Sequence, residues 1–351
     1  MNSELDQYLI DPGKSLRDVM SGLNLTRGFV VVVDSGQRLL GTVTDGDIRR
    51  SILADVDLDQ PVDVLLRQPW RHATPLTAPV GTAESKLLQM MTEAKVRHIP
   101  LVDASGRVCG VASLEDLVRD YELPLTAVVM AGGLGTRLRP LTEDLPKPML
   151  PVGGRPLMEH IIGGLRAAGI RKVNITTHYK GELIEDHFGD GSDFGVDIEY
   201  VDEEEPLGTA GALSLLEASD EPFLIINGDI VTKVDLRAML DYHTEHRADM
   251  TVALRHHEYT VPFGVVDIDG VELTGIREKP TQRLLINAGI YLVGPEAAKR
   301  VPDRSRYDMT DLIHDAIGDG LKVVGFPVQE YWMDVGQMAD YEKAQAEAAG
   351  P

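Results

Sequence analysis

The chain has 351 residues, 43% of them hydrophobic and 26% charged, which is the balance of a globular protein of two or three domains. Its formal net charge of -22 argues against nucleic acids and anionic membranes as partners, because both are negative. Cys109 is the only cysteine, so the chain forms no internal disulfide. The apolar runs are too short to span a membrane, and the first residues do not have the pattern of an export signal, so we expect a cytoplasmic protein.

The N-terminal third of the chain contains an internal repeat. Residues 29–50 align without a gap on residues 98–119. Each copy predicts an apolar strand, a polar turn, a second strand and a helix, and a further helix is expected before each copy, at Leu16–Leu23 and Glu84–Ala94. The identical pairs are Val33/Val102, Asp34/Asp103, Arg38/Arg107, Gly41/Gly110, Asp47/Asp116 and Arg50/Arg119.

This repeat resembles a tandem pair of CBS modules, also called a Bateman module, which has an α+β fold. The resemblance implies a regulatory domain at residues 1–121, with repeats at about 8–62 and 66–121. It also implies a regulatory nucleotide, bound through Thr44 with Asp47 and Ser113 with Asp116 at helix N-termini. The same residues fit helix N-caps with acidic partners three positions later, and the sequence leaves both interpretations open. Because CBS pairs commonly associate face to face, the resemblance further implies a homo-oligomer.

The second half of the chain follows a short joint at Glu122–Pro124 and occupies residues 125–351. It alternates apolar strands with helical stretches, which predicts an α/β domain with a largely parallel sheet. The expected strands are Thr126–Ala131, Lys172–His178, Phe223–Ile226 and Met250–Leu254.

A long glycine-rich segment follows the first of these strands, reading AGGLGTRLRPLT at 131–142 and then PKPMLPV at 146–152. Glycines between a strand and a helix let backbone N–H groups approach phosphate oxygens. A dinucleotide fingerprint would need glycine at Leu138, and a Walker loop would need Gly-Lys-Ser/Thr after its glycines. The segment instead resembles the signature of the sugar-phosphate nucleotidyltransferase family. Further elements of that pattern follow in order at 207–211 (LGTAG), 227–229 (NGD), 278–280 (EKP), 287–291 (NAGIY) and 332–336 (WMDVG).

The resemblance implies a Rossmann-like domain with a mostly parallel mixed sheet. It implies an enzyme that joins a nucleoside triphosphate to a sugar-1-phosphate with Mg²⁺ and releases pyrophosphate. The attacking phosphate is already mostly dianionic at neutral pH, so no general base is needed. By resemblance, Arg137 and Lys147 contact the triphosphate, Lys279 the sugar phosphate, and Glu278 the sugar hydroxyls, while Asp229 and Asp334 hold Mg²⁺. The remaining implied substrate contacts are Gly132, Gly133, Gly135, Thr136, Gly208, Thr209, Gly228 and Asn287.

Glu203 indicates which base is bound. Family members that select uracil or thymine often carry glutamine near this position, whereas Glu203 is assigned here by analogy with mannose-1-phosphate guanylyltransferases. Guanine offers two donors on its pairing edge, and these suit a carboxylate, so GTP is favoured. The alternative is that Asp202–Glu205 is a solvated acidic loop. The sugar is expected to be mannose-1-phosphate or glucosamine-1-phosphate.

Three other interpretations remain open: a UTP-, dTTP- or CTP-dependent transferase of the same family, transfer to phosphocholine, and a non-catalytic nucleotide-sensing subunit. The histidines at 243, 246, 256 and 257 lack the spacing of a zinc site, and we expect them to be exposed helix and loop residues.

Overall fold

The computed structural model of the chain describes residues 3–23, 25–68, 75–117 and 122–348. The chain divides into two compact units, Met1–Tyr121 and Glu122–Pro351. Within the described ranges, none of the helices combines the length and the apolar content that a membrane crossing requires.

The N-terminal unit contains two three-stranded sheets, β1-β2-β3 and β4-β5-β6. In each sheet the first pair of strands is parallel and the second is antiparallel. The predicted α+β pair is confirmed, and α2 and α5 have the predicted bounds. The helices are α1 (Ser3–Asp6), α2 (Leu16–Leu23), α3 (Asp45–Leu53), α4 (Asp63–Leu66), α5 (Glu84–Ala94) and α6 (Leu114–Leu117). The strands are β1 (Leu9–Ile10), β2 (Phe29–Val33), β3 (Leu39–Thr44), β4 (Ala78–Pro79), β5 (His98–Val102) and β6 (Val108–Ser113).

The two repeats pack against each other through equivalent positions. The rings of Phe29 and His98, which the repeat alignment pairs, stack with centroids 4.7 Å apart. Arg38 and Arg107, also aligned, form an isolated antiparallel bridge. The repeats are therefore related by a local two-fold axis that passes between these pairs.

The C-terminal unit contains a seven-stranded sheet of order β11-β10-β7-β12-β17-β14-β18. Its helices are α7 (Leu157–Ala168), α8 (Gly181–Phe188), α9 (Gly208–Gly211), α10 (Leu236–Glu245), α11 (Pro295–Ala298), α12 (Met309–Gly318) and α13 (Met338–Ala348). Its strands are β7 (Thr126–Met130), β8 (Pro151–Val152), β9 (Arg155–Pro156), β10 (Lys172–Thr177), β11 (Asp197–Asp202), β12 (Phe223–Asn227), β13 (Ile230–Thr232), β14 (Met250–Thr260), β15 (Val265–Asp269), β16 (Glu272–Arg277), β17 (Thr281–Val293), β18 (Val323–Val328) and β19 (Trp332–Asp334).

The strands of the large sheet are mostly parallel, as predicted. β11, β10, β7 and β12 run in one direction, β17 is antiparallel to both of its neighbours, and β14 and β18 are parallel to each other. The central strand β7 is covered on both faces, which explains why its sequence is a continuous apolar run instead of an alternating one. The predicted α/β class is therefore confirmed.

The carboxyl ends of four strands meet at one edge of this sheet. Met130, at the end of β7, is aligned with Thr176 of β10 and Asn227 of β12, and Thr177 is aligned with Asp202 of β11. The segments that follow these four strands therefore leave the sheet side by side. In open α/β sheets this edge is where ligands bind.

Strands β14 and β17 continue beyond the large sheet as a long antiparallel ribbon. We call residues 256–285 the arm: it consists of the outer ends of β14 and β17 and the hairpin β15–β16. The sequence predicted only Met250–Leu254 as a strand here, whereas β14 continues to Thr260. The sequence predicts no strand at residues 265–277, where the structure forms the hairpin β15–β16.

The expectation that the four histidines are exposed helix and loop residues is wrong for His243, His246 and His256, which are buried or partly buried, and His257, although exposed, lies in strand β14. His243 is buried on α10, and its Nδ1 lies 2.8 Å from Thr251 Oγ1. His256 lies in β14 and is partly buried. α10 packs one apolar face on the sheet, and His243 belongs to that face together with Leu236, Met239 and Tyr242.

Burial lowers the pKa of His243, with the carboxylate of Asp249 opposing the shift. An unfolded histidine takes up a proton as the pH falls through about 6.5, whereas the buried one takes it up only at a lower pH, so the free energy of unfolding decreases as the pH falls below about 6.5. Calorimetry of the wild type between about pH 7.5 and pH 5 should show a falling unfolding temperature, with this group contributing up to ~1.4 kcal/mol per pH unit. His243→Gln should flatten that slope and the exposed-site control His257→Gln should not; equal slopes in all three proteins would refute the assignment.

Candidate active site

The glycine-rich loop after β7 begins against the segments that follow β10 and β11. Glu203 Oε1 lies 3.2 Å, and His178 Cβ 3.4 Å, from the position that a Cβ on Gly132 would take. His178 Nδ1 is 2.7 Å from the Glu203 carbonyl oxygen, which links the two neighbouring segments. Only glycine at 132 leaves this space free. Gly133, Thr136 and Arg137 are exposed, so the rest of the loop faces solvent.

The conformation of the loop is fixed by Thr142. Gly135 has φ of 60°, a left-handed conformation that favours glycine. The buried Thr142 hydroxyl donates to the Gly135 carbonyl oxygen at 2.8 Å. A Cβ on Gly135 would lie 3.0 Å from Thr142 Cγ2 and 3.3 Å from Lys147 Cβ. Loop and lysine are thus held together by direct packing.

Lys147 and two carboxylates form the centre of the site. Lys147, in a 3₁₀ turn, makes an ion pair through Nζ with Asp229 Oδ2, and both side chains are largely buried. Asp334 ends β19, which pairs with β13 so that Asp334 is opposite Ile230. The Val335 N–H donates to the Asp229 carbonyl oxygen at 3.0 Å. Two motifs separated by more than a hundred residues of sequence are therefore adjacent.

The charges of this cluster act on one another. The pKa of Asp334 is raised, chiefly because its carboxyl is partly withdrawn from water and also because the Asp229 carboxylate is near. The cations of Lys147 and Arg137 oppose the shift. The structure thus brings together four of the residues predicted to be catalytic or metal-binding: Arg137, Lys147, Asp229 and Asp334.

A divalent cation fits this centre. Asp229 Oδ1 is buried and has no hydrogen-bond partner, although an unpaired buried carboxylate oxygen is costly. No cluster of three or more acidic, histidine or cysteine side chains suited to a metal occurs in the described ranges. A pair of carboxylates is nevertheless the usual protein share of a Mg²⁺ site whose other ligands are phosphate oxygens and water.

Glu203 is buried, so the alternative of a fully solvated loop at Asp202–Glu205 is wrong for this residue. Its Oε2 accepts the Leu207 N–H at 2.8 Å, and its own N–H donates to the Thr177 carbonyl oxygen at 2.8 Å. Asp202, Glu204 and Glu205 are exposed. One oxygen of the Glu203 carboxylate is used to hold its own loop, while the other faces Gly132.

Gly208 and Thr209 contact the start of α12. Thr209 Oγ1 accepts the Met309 N–H at 2.8 Å, and the Thr209 N–H donates to Asp308 Oδ1 at 3.1 Å. A Cβ on Gly208 would lie 2.6 Å from Asp308 Oδ1. The Thr209 side chain therefore has a structural partner, and the predicted contact with substrate stays a prediction.

Gly228 directly follows the end of β12, and Asn287 lies in the middle of β17. The Gly228 N–H donates to the Met130 carbonyl oxygen at 2.9 Å, and a Cβ at 228 would collide with that oxygen at 2.7 Å. Asn287 donates through Nδ2 to the Tyr291 hydroxyl at 2.8 Å and accepts the Gly289 N–H at 3.0 Å. Gly228 thus shapes the backbone next to Asp229, whereas the two hydrogen bonds of Asn287 stay within β17.

Glu278 and Lys279 lie on the arm, in the turn between β16 and β17, and both are exposed. Glu278 Oε2 is 3.1 Å from the position of a Cβ on Gly264. Across the described ranges, no hydrogen bond or ion pair links either residue to the Lys147–Asp229 centre. The structure therefore does not bring these two predicted residues into the cluster.

In the N-terminal unit, Thr44 and Asp47 form a capping box at the start of α3. Asp47 is buried, and its carboxylate accepts from the Thr44 N–H at 2.9 Å and from Arg50 Nη2 at 2.8 Å. Ser113 Oγ accepts the Asp116 N–H at 3.3 Å. Asp116 is exposed and accepts from Arg27 Nη1 of the other repeat at 3.1 Å.

Family models match both halves of the chain. Residues 126–350 match the model described as nucleotidyl transferase, and residues 6–54 and 72–122 match that of the CBS domain.

Two relatives are similar to the C-terminal half. The mannose-1-phosphate guanylyltransferase of Mycobacterium tuberculosis is 37% identical over 230 residues, which cover 63% of this chain and 64% of that protein, slightly less than two thirds of it. The D-glycero-alpha-D-manno-heptose 1-phosphate guanylyltransferase of Aneurinibacillus thermoaerophilus is 34% identical over 228 residues, covering 64% of this chain and 98% of that protein.

Among solved structures, HddC from Yersinia pseudotuberculosis is similar with a TM-score of 0.51 and 25% identity, over 63% of this chain and 98% of that one. A structure of HddC complexed with GMP-PN is similar with a TM-score of 0.50, 25% identity and the same shares of both chains. The family match covers residues 126–350, and this range contains both the glycine-rich loop and the Lys147–Asp229–Asp334 centre. The chain belongs to the nucleotidyl transferase family and carries two CBS domains ahead of its nucleotidyl transferase domain.

Proposed function

We propose that this protein is a sugar-1-phosphate nucleotidyltransferase that uses GTP and releases pyrophosphate. The observation that carries the proposal is the meeting of Lys147, Arg137, Asp229 and Asp334 beside a glycine-rich loop at the carboxyl edge of the sheet. A site of two cations and two carboxylates suits the transfer of a group between two polyanions, because the chemistry depends on positioning and on electrostatic stabilisation.

In the proposed reaction an oxygen of the sugar phosphate attacks the α-phosphorus of the triphosphate in line. The new bond joins that oxygen to the α-phosphorus, and the bond from the α-phosphorus to the β-bridging oxygen breaks. The electron pair leaves with pyrophosphate. The attacking phosphate is already dianionic at neutral pH, so no side chain has to accept a proton.

Lys147 and Arg137 neutralise the triphosphate and then the departing pyrophosphate. In this structure Lys147 is held by Asp229, so it is fixed near the metal-binding carboxylate and has little freedom to lose when phosphate arrives. Gly133, Leu134 and Thr136 are exposed, so the backbone N–H groups of this loop are proposed to bind phosphate oxygens. Lys279 and Glu278 are assigned to the sugar phosphate and the sugar hydroxyls.

Asp229 and Asp334 would hold Mg²⁺, with Asp229 Oδ1 as the free ligand atom. When bound, the ion would add positive charge near the phosphate oxygens. The pairing of β13 with β19 keeps the two carboxylates adjacent, as a shared metal ion would require.

Guanine is proposed as the base because Glu203 is buried next to the loop and the two relatives described above carry guanylyltransferase names. Mannose-1-phosphate or glucosamine-1-phosphate is proposed as acceptor. Mannose agrees with the name of one relative, and the heptose named for the other is a further candidate.

The test is a pyrophosphate-release screen of GTP, UTP, dTTP and CTP against a panel of sugar-1-phosphates and phosphocholine, with and without Mg²⁺. We expect GTP with one sugar-1-phosphate to be the best pair, and release to require Mg²⁺. Preference for phosphocholine with CTP would replace the proposal. Absence of release with every pair would support the non-catalytic sensor instead.

A purine nucleotide bound to the CBS pair is proposed to regulate this reaction, and the CBS pair is also proposed to contribute to a homo-oligomer. The exposed Asp116 and its neighbour Arg27 offer a carboxylate for ribose hydroxyls and a cation for phosphate.

Calorimetry on the full chain with adenine and guanine nucleotides tests this binding, in a Lys147→Met background that weakens nucleotide binding at the other site. Asp116→Ala should weaken it, and an unchanged affinity would leave Ser113 and Asp116 as a helix cap.

A further inference from the structure

The last helix of the chain, α13, packs against the ribbon that keeps the two carboxylates of the centre adjacent. That ribbon, β13 paired with β19, has only three residues in each strand. A two-stranded ribbon by itself is at best marginally stable in water, and it needs another element against one of its faces. α13 contacts β19 and also β8. The helix therefore supplies the support that the short ribbon lacks.

The alternation of side chains along β19 separates the carboxylate from the packing face. Successive residues of a strand point to opposite faces. Met333 and Val335, on either side of Asp334, are buried in one hydrophobic cluster. Val231 of β13, which is paired with Met333, packs against the same cluster. The ribbon thus packs through one face and carries Asp334 on the other.

The same cluster receives the segments that carry the two cations of the site. Leu138 directly follows Arg137, and Leu150 is the third residue after Lys147. From α13 the cluster receives Ala344, which is 2% exposed. A larger side chain at this position would have to displace its neighbours. One cluster therefore supports the loop, the lysine turn and the ribbon, and α13 closes it.

Two polar side chains of α13 attach the helix to the strand that follows Lys147. The Pro151 carbonyl oxygen, at the start of β8, accepts from Tyr341 Oη at 2.8 Å and from Gln345 Nε2 at 2.6 Å. Gln345 Oε1 accepts the Gly153 N–H at 3.2 Å. A carbonyl oxygen has two lone pairs, and α13 fills both at this position.

Asp334 is connected to α13 by the chain itself. Only three residues separate it from the start of the helix at Met338. Within this connection the Val335 N–H donates to the Asp229 carbonyl oxygen at 3.0 Å. A shift of α13 would therefore reach Asp334 through the connecting residues and Lys147 through β8.

We propose that α13 is a positioning element of the active centre and holds Asp334 beside Asp229. Its positioning residues are Ala344, Tyr341 and Gln345. They act through the two carboxylates and are not themselves ligands. This inference rests on the proposed function, in which the carboxylates share a Mg²⁺ ion.

The test titrates the full chain with Mn²⁺ alone, because electron paramagnetic resonance separates free from bound Mn²⁺ without any turnover. Asp229→Asn defines the binding that does not belong to the centre. Gln345→Ala removes the hydrogen bonds to β8, and Ala344→Leu overfills the cluster. Each should raise the Kd of the Mn²⁺ lost in Asp229→Asn by about 10-fold, as losses in the support of metal ligands commonly do. The matched control Ala346→Leu adds the same side chain at an exposed position of α13 and should leave the Kd unchanged.

Hydrogen exchange gives a second measurement that depends on neither metal nor activity, and it serves if Ala344→Leu folds poorly. In Gln345→Ala, the amides of β13 and β19 should exchange faster, together with the Val335 N–H that is bonded to Asp229. The amides of the central strands β7 and β12 should keep their wild-type protection. A helix that only stabilises the whole domain would speed exchange in all four strands.

An unchanged Mn²⁺ affinity in folded Gln345→Ala, or exchange that rises equally in β7 and β13, would overturn the proposal. A wild type that binds Mn²⁺ no better than Asp229→Asn would instead contradict the metal assignment of the proposed function. Exchange in β13 and β19 would then decide alone whether α13 holds the ribbon in place.

Discussion

Replacing Asp229 with asparagine is expected to lower kcat by at least about 10²-fold, and Asp334→Asn to do the same. Each change removes one of the two negative charges that would hold Mg²⁺, while the side-chain shape is kept. At Asp229 the change also removes the negative charge that pairs with Lys147, and this ion pair fixes that cation in the site. Initial rates of pyrophosphate release at saturating substrates measure the effect.

The control for this prediction is Glu204→Gln, which removes a carboxylate from an exposed neighbouring position. It should retain turnover within a few-fold of the wild type. If the asparagine variants fold and turn over near the normal rate at saturating Mg²⁺, the two carboxylates are not the metal site.

Replacing Glu203 with glutamine is expected to lower the GTP/UTP ratio of kcat/KM by ~10²-fold. A carboxylate can accept both donors on the guanine edge, whereas an amide presents one donor and one acceptor, and a mispaired buried group costs ~1–3 kcal/mol. Glutamine keeps a carbonyl oxygen for the Leu207 N–H, so the loop that Glu203 holds should persist. Rates with both triphosphates, measured in competition, give the ratio directly.

Glu205→Gln serves as the matched control, because this carboxylate lies on the same loop and is exposed. It should not alter the ratio. An unchanged ratio in Glu203→Gln would mean that Glu203 supports the loop but does not contact the base.

The fold could largely be predicted from the sequence where the period of the apolar residues was clear. The runs after residues 125, 171 and 222 became the parallel strands β7, β10 and β12, because buried central strands have continuous apolar sequences. The arm could not be predicted as readily: its apolar residues partly alternate with charges, as in an exposed strand, but Gly270 and Gly275 divide the pattern into short runs.

The centre of the site could be predicted because its residues follow strand ends or occur in a long composite motif. Lys147 and Asp229 meet because β7 and β12 are neighbours. Asp334 lies beside them because β13 pairs with β19, and the local sequence did not predict this pairing. His178 and Thr142 were not singled out. His178 had the position after β10 as its only signal, while the role of Thr142 depends on a hydrogen bond back to Gly135 that only the folded loop reveals.

The roles of Gly208, Thr209 and Glu278 were harder to predict, since each depends on long-range neighbours. Thr209 bonds to residues a hundred positions further along the chain, and Glu278 lies on an arm whose existence the sequence did not indicate. Helix capping and nucleotide binding would use the same side-chain atoms of Thr44 and Asp47, so the sequence could not distinguish the two roles. The structure shows the capping box, and nucleotide binding stays a proposal.

The central claim is that the sugar phosphate attacks the α-phosphorus, and the fate of labelled oxygen tests it most directly. The wild-type enzyme would be supplied with GTP and a sugar-1-phosphate that carries ¹⁸O in its phosphoryl oxygens, and the products analysed by ³¹P NMR and mass spectrometry. We predict that all of the label remains in the nucleotide-sugar, with one atom in the bridge between its two phosphorus atoms, and that pyrophosphate is unlabelled. Label in the pyrophosphate, or a product without a labelled bridge, would contradict this account.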